Sequence, residues 1–302
     1  MNFVYFKGSF VPLKEAKISI LTHAFNYGTG VFEGIKGYYN QKQDQLYIFR
    51  VEEHLERIKK NCRIIKIDLD KPTAGLKELV VELVRKNEFK TDIYIRPLAY
   101  KSSEKVGVKL PDEHDFCIFA VPVSHYFNPD KPIKACLSSW RRIEDNAIPG
   151  RGKITGAYVN SALAGQEARD NGFDEAIFMN EDGHVSEGAA MNLFLVRNGM
   201  LHTPSLSQNI LEGITRDAVM EIASEELGIG TMERAIDRTE LYTADEVFFC
   251  GTLAEIVSVG SIDHRLVGSG KKGKITSEIM KFFYKVVNGE IDKYRKWLTP
   301  VY

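Results

Sequence analysis

The segment "IPGRGKITGAYVNSALA", residues 148–164, places Lys153 between a loop rich in proline and glycine and the expected start of a helix. A lysine amine can act as a nucleophile when a rigid frame holds it and a cationic neighbour or a dry pocket lowers its pKa to about 7 or 8. A solvated loop lysine is the alternative, and one short motif does not decide between the two because such motifs often match by chance. The residues that accompany Lys153 must decide.

Nucleotide and hydrolase motifs do not account for Lys153. A P-loop requires glycine at position 147 and Ser or Thr at 154, where the chain has Ala147 and Ile154. The stretch "GSGKKGKIT" has the P-loop spacing, but Ile275 replaces the magnesium-binding hydroxyl, so we expect an exposed loop. "GTGVFEG" is one residue too long for a dinucleotide fingerprint. We find no H-E-x-x-H or G-x-S-x-G motif and expect no metal, and the histidines of "LTHAFNYG" and "EEHLERI" are expected to pack or to form hydrogen bonds.

Two further residues would suit a pyridine-containing cofactor. Glu187 ends a hairpin strand among glycine and alanines, and a buried carboxylate is costly unless it faces a cation or a strong donor. A protonated pyridine ring would serve. Tyr158 lies five residues after Lys153, so its hydroxyl could point back toward a ligand of the lysine if the helix starts at Lys153.

Three segments could bind a phosphate on the same ligand. "LEGITRD" places Gly213, Ile214 and Thr215 at a helix start, where N–H groups and the helix dipole favour an anion. "CGTLAE" supplies a second turn of this kind with Thr252, and Arg57 on the first long helix could balance the charge. Each feature alone also fits ordinary packing or capping, but together they describe one ligand.

Length and charge limit the class of protein. A chain of 302 residues predicts two compact units, and 40 basic against 41 acidic side chains give no basic field for nucleic acid or anionic lipid, so we expect a small-molecule partner. The four cysteines form no C-x-x-C pair and are expected to be reduced and mostly buried. There is no secretory leader pattern and no window of ~18 apolar residues, which predicts a cytoplasmic protein.

The pattern of elements predicts an α/β or α+β chain. Residues 1–121 mix short strands with two helices, "VEEHLERIKKNCRII" and "PTAGLKELVVELVRKNE". Residues 122–132 carry three prolines and predict a linker, which leaves 133–302 as the larger domain. In that domain we expect hairpins at Asp182-Gly183 and Asn198-Gly199, helices in "NSALAGQEARDNG" and "TRDAVMEIASEELG", a strand in "DEVFFCGT" and a closing helix over about 277–297.

The chain resembles the branched-chain amino-acid aminotransferases, within the class IV (D-amino-acid aminotransferase-like) pyridoxal-phosphate enzymes. The resemblance covers nearly the whole chain and rests on an ordered set of motifs: "HAFNYGTGVFEGIKGY", "FRVEEHLERI", "IYIRPLAY", "GKITGAYVNS", "DGHVSEGAAMNLF", "LEGITRDAV" and "ADEVFFCGTLAEI". It implies a two-domain class IV fold with pyridoxal 5'-phosphate (PLP) between the domains. It also implies a homodimer, or a larger assembly of dimers, whose sites borrow a loop from the neighbour.

The resemblance assigns roles residue by residue. Lys153 matches the Schiff-base lysine, Glu187 the carboxylate at the pyridine nitrogen, and Tyr158 the hydroxyl at the phenolic oxygen. The matched phosphate-binding positions are Arg57, Ile214, Thr215 and Thr252, and the position packed on the ring is Leu211. The matched substrate-pocket positions are Phe32, Gly34, Lys36, Tyr94, Arg96, Tyr126, Thr252 and Leu253, and Tyr27 matches a residue contributed across the dimer.

The implied activity is ping-pong transfer of an amino group between Leu, Ile or Val and 2-oxoglutarate. In branched-chain enzymes the tyrosine of "YIRP" helps to bind the α-carboxylate, and the arginine receives the side-chain carboxylate of glutamate. The chain departs from the family at Val123, at Ala190-Met191 and in the loop "SSEKVGV", which leaves open a broader range that includes aromatic amino acids or (R)-amines. An aminodeoxychorismate-type lyase is a further alternative, against which Arg96 beside Tyr94 argues. A P-loop NTPase and a cofactor-free phosphate-binding module are alternatives from other classes.

Overall fold

The structure is a computed structural model that describes residues 2–302. Its α-helices are α1 (His23–Tyr27), α2 (Val51–Cys62), α3 (Thr73–Asn87), α4 (Tyr158–Asp170), α5 (Ile214–Leu227), α6 (Glu240–Thr243) and α7 (Lys274–Val287). Its strands are β1 (Phe3–Phe6), β2 (Ser9–Pro12), β3 (Gly30–Phe32), β4 (Ile35–Asn40), β5 (Gln45–Phe49), β6 (Ile93–Lys101), β7 (His114–Pro122), β8 (Ile133–Arg141), β9 (Glu175–Met179), β10 (Val185–Gly188), β11 (Asn192–Arg197), β12 (Met200–Pro204), β13 (Thr231–Arg234), β14 (Glu246–Gly251), β15 (Glu255–Ile262), β16 (Arg265–Leu266) and β17 (Leu298–Pro300).

The chain divides into two compact units, and the first unit contains residues up to Ser124 together with Gly152–Gly156 and Lys285–Tyr302. The strands of its sheet follow the order β17-β5-β4-β6-β7-β1-β2, and β3 also pairs with β6. Every strand pair described for this sheet is antiparallel. Helix α3 packs on β1 and β7, and α2 packs on α3. The strands of "GVFEGIKGY", β3 and β4, both pair with β6, and β3 and the first four residues of β4 are buried.

The second unit comprises His125–Arg151 and Ala157–Tyr284. Its sheet is mixed, in the order β10-β9-β8-β15-β14-β11-β12-β13, with β16 on β15. The parallel pairs are β8 with β9, β15 with β8, and β12 with β13. Apolar side chains of β9, β11, β14 and β15 form a common core, and α4 packs on β8 and β9.

Turn chemistry in the sequence predicted the hairpins of the second unit correctly. Gly183 lies in the left-handed region between β9 and β10, and Asn198 (φ 51°) and Gly199 (φ 75°) join β11 to β12. Two successive positive φ angles are the property for which Asn-Gly is selected in two-residue hairpin loops. Helices α4 and α5 and strand β14 also lie where the sequence predicted them.

The expected closing helix over 277–297 is wrong in extent. Helix α7 ends at Val287, Gly289 adopts φ 73°, and a separate 3-10 helix covers Asp292–Trp297. A glycine in the left-handed conformation ends an α-helix, because the carbonyl groups of the last turn then bond to N–H groups outside the regular helical pattern. The helical periodicity beyond residue 289 belongs to the 3-10 segment.

The P-loop alternative is contradicted at the start of α7. The carboxylate of Glu246 accepts hydrogen bonds from the backbone N–H groups of Ile275 (3.0 Å) and Thr276 (2.8 Å), and from the Thr276 hydroxyl (2.6 Å). A carboxylate of the chain therefore occupies the place at the helix start that a P-loop offers to phosphate. Gly273 packs against Glu246 so closely that a Cβ there would overlap it.

The cysteines are free thiols, as expected, with Cys62, Cys136 and Cys250 buried. Burial raises the pKa of the Cys250 thiol to about 12, which makes it unreactive at neutral pH. Within residues 2–302 no helix combines the length and the apolar character that a membrane crossing needs. The same residues contain no cluster of three or more His, Cys, Asp or Glu side chains suited to a metal ion.

Candidate active site

The first unit holds the backbone around Lys153 in a rigid frame. The Phe32 N–H donates to the Lys153 carbonyl (3.0 Å), and Ile154 forms an isolated β-bridge with Val31. The Thr155 hydroxyl donates to the Gly28 carbonyl at 2.6 Å. Helix α4 begins only at Tyr158, after a 3-10 turn over Thr155–Ala157, so Lys153 precedes the helix. A helix start at Lys153 was the condition for the Tyr158 hydroxyl to point back toward a ligand of the lysine, and this condition is not met.

Gly28 is required by this frame for two reasons. It caps α1 with φ 67°, a conformation that favours glycine. A Cβ at Gly28 would also lie 2.7 Å from the Gly156 Cα. The loop that carries Lys153 therefore packs on a backbone corner that only glycine can form.

Phe32 lies between two cationic side chains. The Lys153 Nζ lies 4.9 Å from the centroid of the Phe32 ring, and the Arg96 guanidinium carbon lies 4.2 Å from it. Both distances suit cation–π contacts. Lys153 is half-buried, and its amine shares the apolar Phe32 ring with the Arg96 guanidinium.

Arg57 is fixed by a buried carboxylate that the sequence analysis did not select. Glu33 accepts from the Arg57 Nε (2.7 Å) and Nη2 (2.8 Å), and it is bonded to His54 Nδ1 at 2.7 Å. Burial alone would raise the pKa of the Glu33 carboxyl. The Arg57 guanidinium and the hydrogen bonds from Arg57 and His54 outweigh this effect, so the pKa lies well below its usual range. Glu33 is thus an anion that orients the guanidinium of Arg57.

His54 is expected to make the protein sensitive to acid. Burial lowers the pKa of His54 below 6.5, against the opposing effect of Glu33, so the folded protein binds fewer protons than the unfolded chain as the pH falls. The contribution of neutral His54 to the free energy of unfolding is fully present above about pH 6.5. It is lost as the pH falls through the pKa of His54 in the folded protein. His54→Gln should flatten the loss of unfolding free energy as the pH falls below about 6.5, measured by urea titration at each pH. An unchanged slope would contradict the assignment, and exposed His264→Gln is the control.

The two residues of "YIRP" form one hydrogen-bonded pair on β6. The Arg96 Nε and Nη2 donate to the Tyr94 hydroxyl at 3.1 and 2.6 Å. Because the phenol oxygen accepts these bonds, its own proton is directed toward another acceptor. A Cβ at Gly34 would overlap that hydroxyl, so glycine is required there. Lys36 is buried on β4, with its Nζ 5.1 Å from the centroid of the Tyr38 ring.

In the second unit, Glu187 has the cationic neighbour that its burial required. The Arg142 Nη2 lies 2.7 Å from one carboxylate oxygen, and the other accepts from Asn192 Nδ2 (2.9 Å) and the Leu211 N–H (3.2 Å). Glu187 is buried on β10, and Arg142 at the end of β8 also donates to the Asn209 carbonyl. An arginine at this distance favours the charged form of the carboxylate.

Helix α5 starts beside this carboxylate. Its N-cap is Gly213, which has no side chain to cap the helix, and a Cβ at Gly213 would overlap the Asn192 side chain. Ile214 and Thr215 begin the helix as predicted. Asn192 therefore joins Glu187 to Leu211, two residues before the N-cap of α5. The N-terminus of a helix favours an anion.

The remaining candidates are divided between the two units. Thr252 and Leu253 lie in the turn between β14 and β15, Tyr158 begins α4, and Tyr126 is exposed in the segment before β8, all in the second unit. Tyr27 is exposed on α1 in the first unit and accepts from the Gly107 N–H at 3.2 Å. His23 is buried with both ring nitrogens hydrogen-bonded, which confirms the expectation for it.

Sequence reasoning missed Glu33 and Arg142. A usable signal existed for Glu33, since it is a lone carboxylate inside a run of buried residues, "VFEGIKG", and such a charge requires a partner. For Arg142 the signal was weaker. It follows a strand directly and precedes the loop of Lys153, a place where polar residues collect at functional sites.

Comparisons with known proteins show the family of the chain. Residues 30–262 match the sequence model of the family Amino-transferase class IV. A probable branched-chain-amino-acid aminotransferase of Aquifex aeolicus is 48% identical over 100% of this chain and 97% of its own length. The chain belongs to the class IV aminotransferases.

Solved structures give the same result. The chain is similar to a branched-chain aminotransferase of Thermoproteus uzoniensis, solved with norvaline, with 43% identity, a TM-score of 0.95 and 99% of each chain covered. It is similar to the branched-chain amino acid aminotransferase of Thermobaculum terrenum in its PLP form, with 38% identity, a TM-score of 0.95 and coverage of 100% of this chain and 98% of that chain. The class IV fold with mixed helices and strands, which the resemblance implied, is thus confirmed.

Proposed function

We propose that the protein is a PLP-dependent transaminase that moves the amino group between Leu, Ile or Val and 2-oxoglutarate. One observation supports this proposal most directly. In the first unit, half-buried Lys153 and Arg96 both contact the Phe32 ring, and Arg96 donates a hydrogen bond to Tyr94 of the same "YIRP" motif. The relatives named above, one of them solved in its PLP form, support the proposal.

The residues present fit PLP. Arg57, oriented by Glu33, and the start of α5 would hold its phosphate, with Thr252 as a further donor. Glu187, kept charged by Arg142, would hold a proton at the pyridine nitrogen, with Leu211 against the ring and Tyr158 at the phenolic oxygen. When bound, PLP supplies the electron sink for the bond that breaks at the amino acid α-carbon.

The residues of the chain would then have separate roles in the transfer of the amino group. The Lys153 amine would take the proton from the α-carbon of the amino acid and deliver it to the exocyclic carbon of the cofactor within the same half-reaction. In the second half-reaction it would move a proton in the reverse direction. Tyr94 donates to the α-carboxylate, and Thr252 and Leu253 border the substrate. Phe32, Gly34, Lys36 and Tyr126 border the side chain, and Arg96 receives the γ-carboxylate of glutamate. Release of the 2-oxo acid before the second substrate binds gives ping-pong order.

Half-reactions test the proposal. The purified holoenzyme is mixed with leucine, glutamate, D-alanine or an (R)-amine in the absence of an acceptor, and the visible absorption of the cofactor is followed. We expect it to change rapidly with leucine and glutamate and slowly with the other two donors. Fast change with D-alanine or the (R)-amine alone would overturn the branched-chain assignment while leaving a class IV transaminase.

Arg96→Ala should separate the two substrates. We expect kcat/KM to fall about 100-fold for glutamate, which loses a charge-assisted partner, and about tenfold for leucine, because Tyr94 loses the group that orients its hydroxyl. Tyr94→Phe is the control and should lower both values by similar factors. Equal losses in the Arg96 variant would contradict its contact with the γ-carboxylate.

We further propose that the protein is a homodimer that docks through the segment around α1. Apolar side chains are exposed along this segment, and they are Leu13, Ile18, Ile20 (78%), Leu21 and Phe25 (67%). Three of them, Leu13, Ile18 and Phe25, line an apolar cavity of about 350 Å³ in the first unit. Patches of this kind mark protein contacts, and the exposed Tyr27 on the same helix is the residue expected to reach a neighbouring site.

Phe25→Glu tests the dimer. A charge on this face should convert the dimer to a monomer in light scattering and lower activity at least about tenfold, because a buried unpaired charge is costly. Met232→Glu, at an exposed position on β13 of the other unit, should leave the dimer unchanged. A dimeric Phe25→Glu variant would place the interface elsewhere. The cytoplasmic location stays a prediction.

A further inference from the structure

The turn that carries Thr252 and Leu253 ends in an unusual backbone conformation. Strands β14 and β15 pair antiparallel, with Gly251 opposite Glu255 and three residues between them. Glu255 adopts φ 57°, the left-handed region that glycine or asparagine normally fills in such loops. A glutamate that keeps this conformation must gain something from its side chain.

The Glu255 carboxylate joins three separate segments of the second unit. The residue is 2% exposed, and one carboxylate oxygen accepts from the Tyr284 hydroxyl at 2.9 Å and bonds to His125 Nδ1 at 2.9 Å. Tyr284 lies on α7, whereas His125 lies in the irregular segment before β8, next to Tyr126. The His125 and Tyr284 rings meet edge to face, with their centroids 6.2 Å apart.

Each bond in this cluster restricts a different segment. Tyr284 belongs to a regular helix and gives the carboxylate a fixed anchor. The same carboxylate then fixes the end of the Thr252–Ala254 turn on one side and the exposed His125 on the other. Loops that bind small carboxylates gain affinity when they are ordered before the ligand arrives, because binding then costs less entropy.

We propose that Glu255, Tyr284 and His125 form a carboxylate clamp that positions the Thr252–Leu253 turn and the Tyr126 segment for substrate binding. The inference rests on the proposed function, in which the turn and Tyr126 contact the substrate. All three are positioning residues, since they act through the turn and the segment that they hold.

Tyr284→Phe tests the clamp with a minimal change. We expect KM for leucine and for 2-oxoglutarate to rise about tenfold, the factor that loss of one hydrogen bond to a charged group can produce, with kcat and the visible absorption of the holoenzyme unchanged. Tyr242→Phe is the matched control, because it removes a hydroxyl bond of 2.7 Å to the Asp263 carboxylate in the same unit. The control should leave KM unchanged.

Glu255→Gly separates the carboxylate from the backbone. Glycine relieves the positive φ but removes the clamp, so the variant should fold and still show the raised KM. Adding Tyr284→Phe to it should then have no further effect, since the two residues act as one unit. A wild-type KM in Glu255→Gly, or additive effects in the double variant, would overturn the clamp.

The clamp and the proposed function fail in different ways. An active wild-type enzyme whose Tyr284→Phe variant only unfolds at lower temperature, with KM unchanged, would overturn the clamp alone. A wild-type holoenzyme that reacts with neither leucine nor 2-oxoglutarate would overturn the proposed function and the clamp with it.

Discussion

Lys153→Ala is expected to abolish amino-group transfer, with kcat lowered about 10⁴-fold or more. The variant loses both the nucleophilic amine and the group that moves the α-proton, and proton transfer alone contributes up to about 10⁴-fold. The fold should survive, because the frame is built from the backbone of Lys153 and its neighbours and not from its amine. Steady-state kinetics with leucine and 2-oxoglutarate, together with thermal unfolding, measure the two effects.

Two controls make the Lys153 result specific. Lys153→Arg keeps a cation above Phe32 but has no amine that can be deprotonated, so it should be as inactive as the alanine variant. A small primary amine added to Lys153→Ala should restore part of the proton transfer, and the recovered rate should rise with its concentration. Activity near the wild-type level in either variant would remove Lys153 from the mechanism.

Local chemistry in the sequence predicted the elements that depend on neighbouring residues. Asn198-Gly199 specified its hairpin because few other pairs adopt two left-handed residues in succession. The same type of signal at Gly289 was overlooked in favour of helical periodicity, and the closing helix was drawn too long. Turn residues were therefore better guides than periodicity at the ends of elements.

Contacts between distant residues could not be read in the same way. Lys153 and its neighbours pack on Gly28–Phe32, more than 120 residues earlier in the chain, and the sequence analysis identified no partner for the loop of the lysine. Arg142 and Glu33 were missed because each acts through a residue on another element. A charged residue within an apolar run indicates that a partner is needed, but the sequence does not identify that partner.

Glu187→Gln is expected to lower kcat about 10²- to 10³-fold for leucine and glutamate alike. The amide cannot supply the negative charge that holds a proton at the pyridine nitrogen, and loss of one preorganised electrostatic group in a water-excluded site typically has this effect. The donor preference should not change, because Glu187 lies among Arg142, Asn192 and Leu211 and not among the substrate-pocket candidates. The ratio of kcat/KM for the two donors measures this.

Glu175→Gln is a matched control for the Glu187 variant. Glu175 is also buried and lies on β9, the strand that pairs with the strand of Glu187, but it accepts only backbone N–H groups of Ala176 and Ala189 among the hydrogen bonds described for residues 2–302. Burial raises the pKa of Glu175, and no arginine is paired with it among the described residues. A neutral amide therefore removes less favourable electrostatic interaction at Glu175 than at Glu187, which is paired with Arg142. Its kcat should remain close to that of the wild type. If both glutamine variants lost activity to the same degree, the effect would come from packing in this sheet, and the charge of Glu187 would have no special role in catalysis.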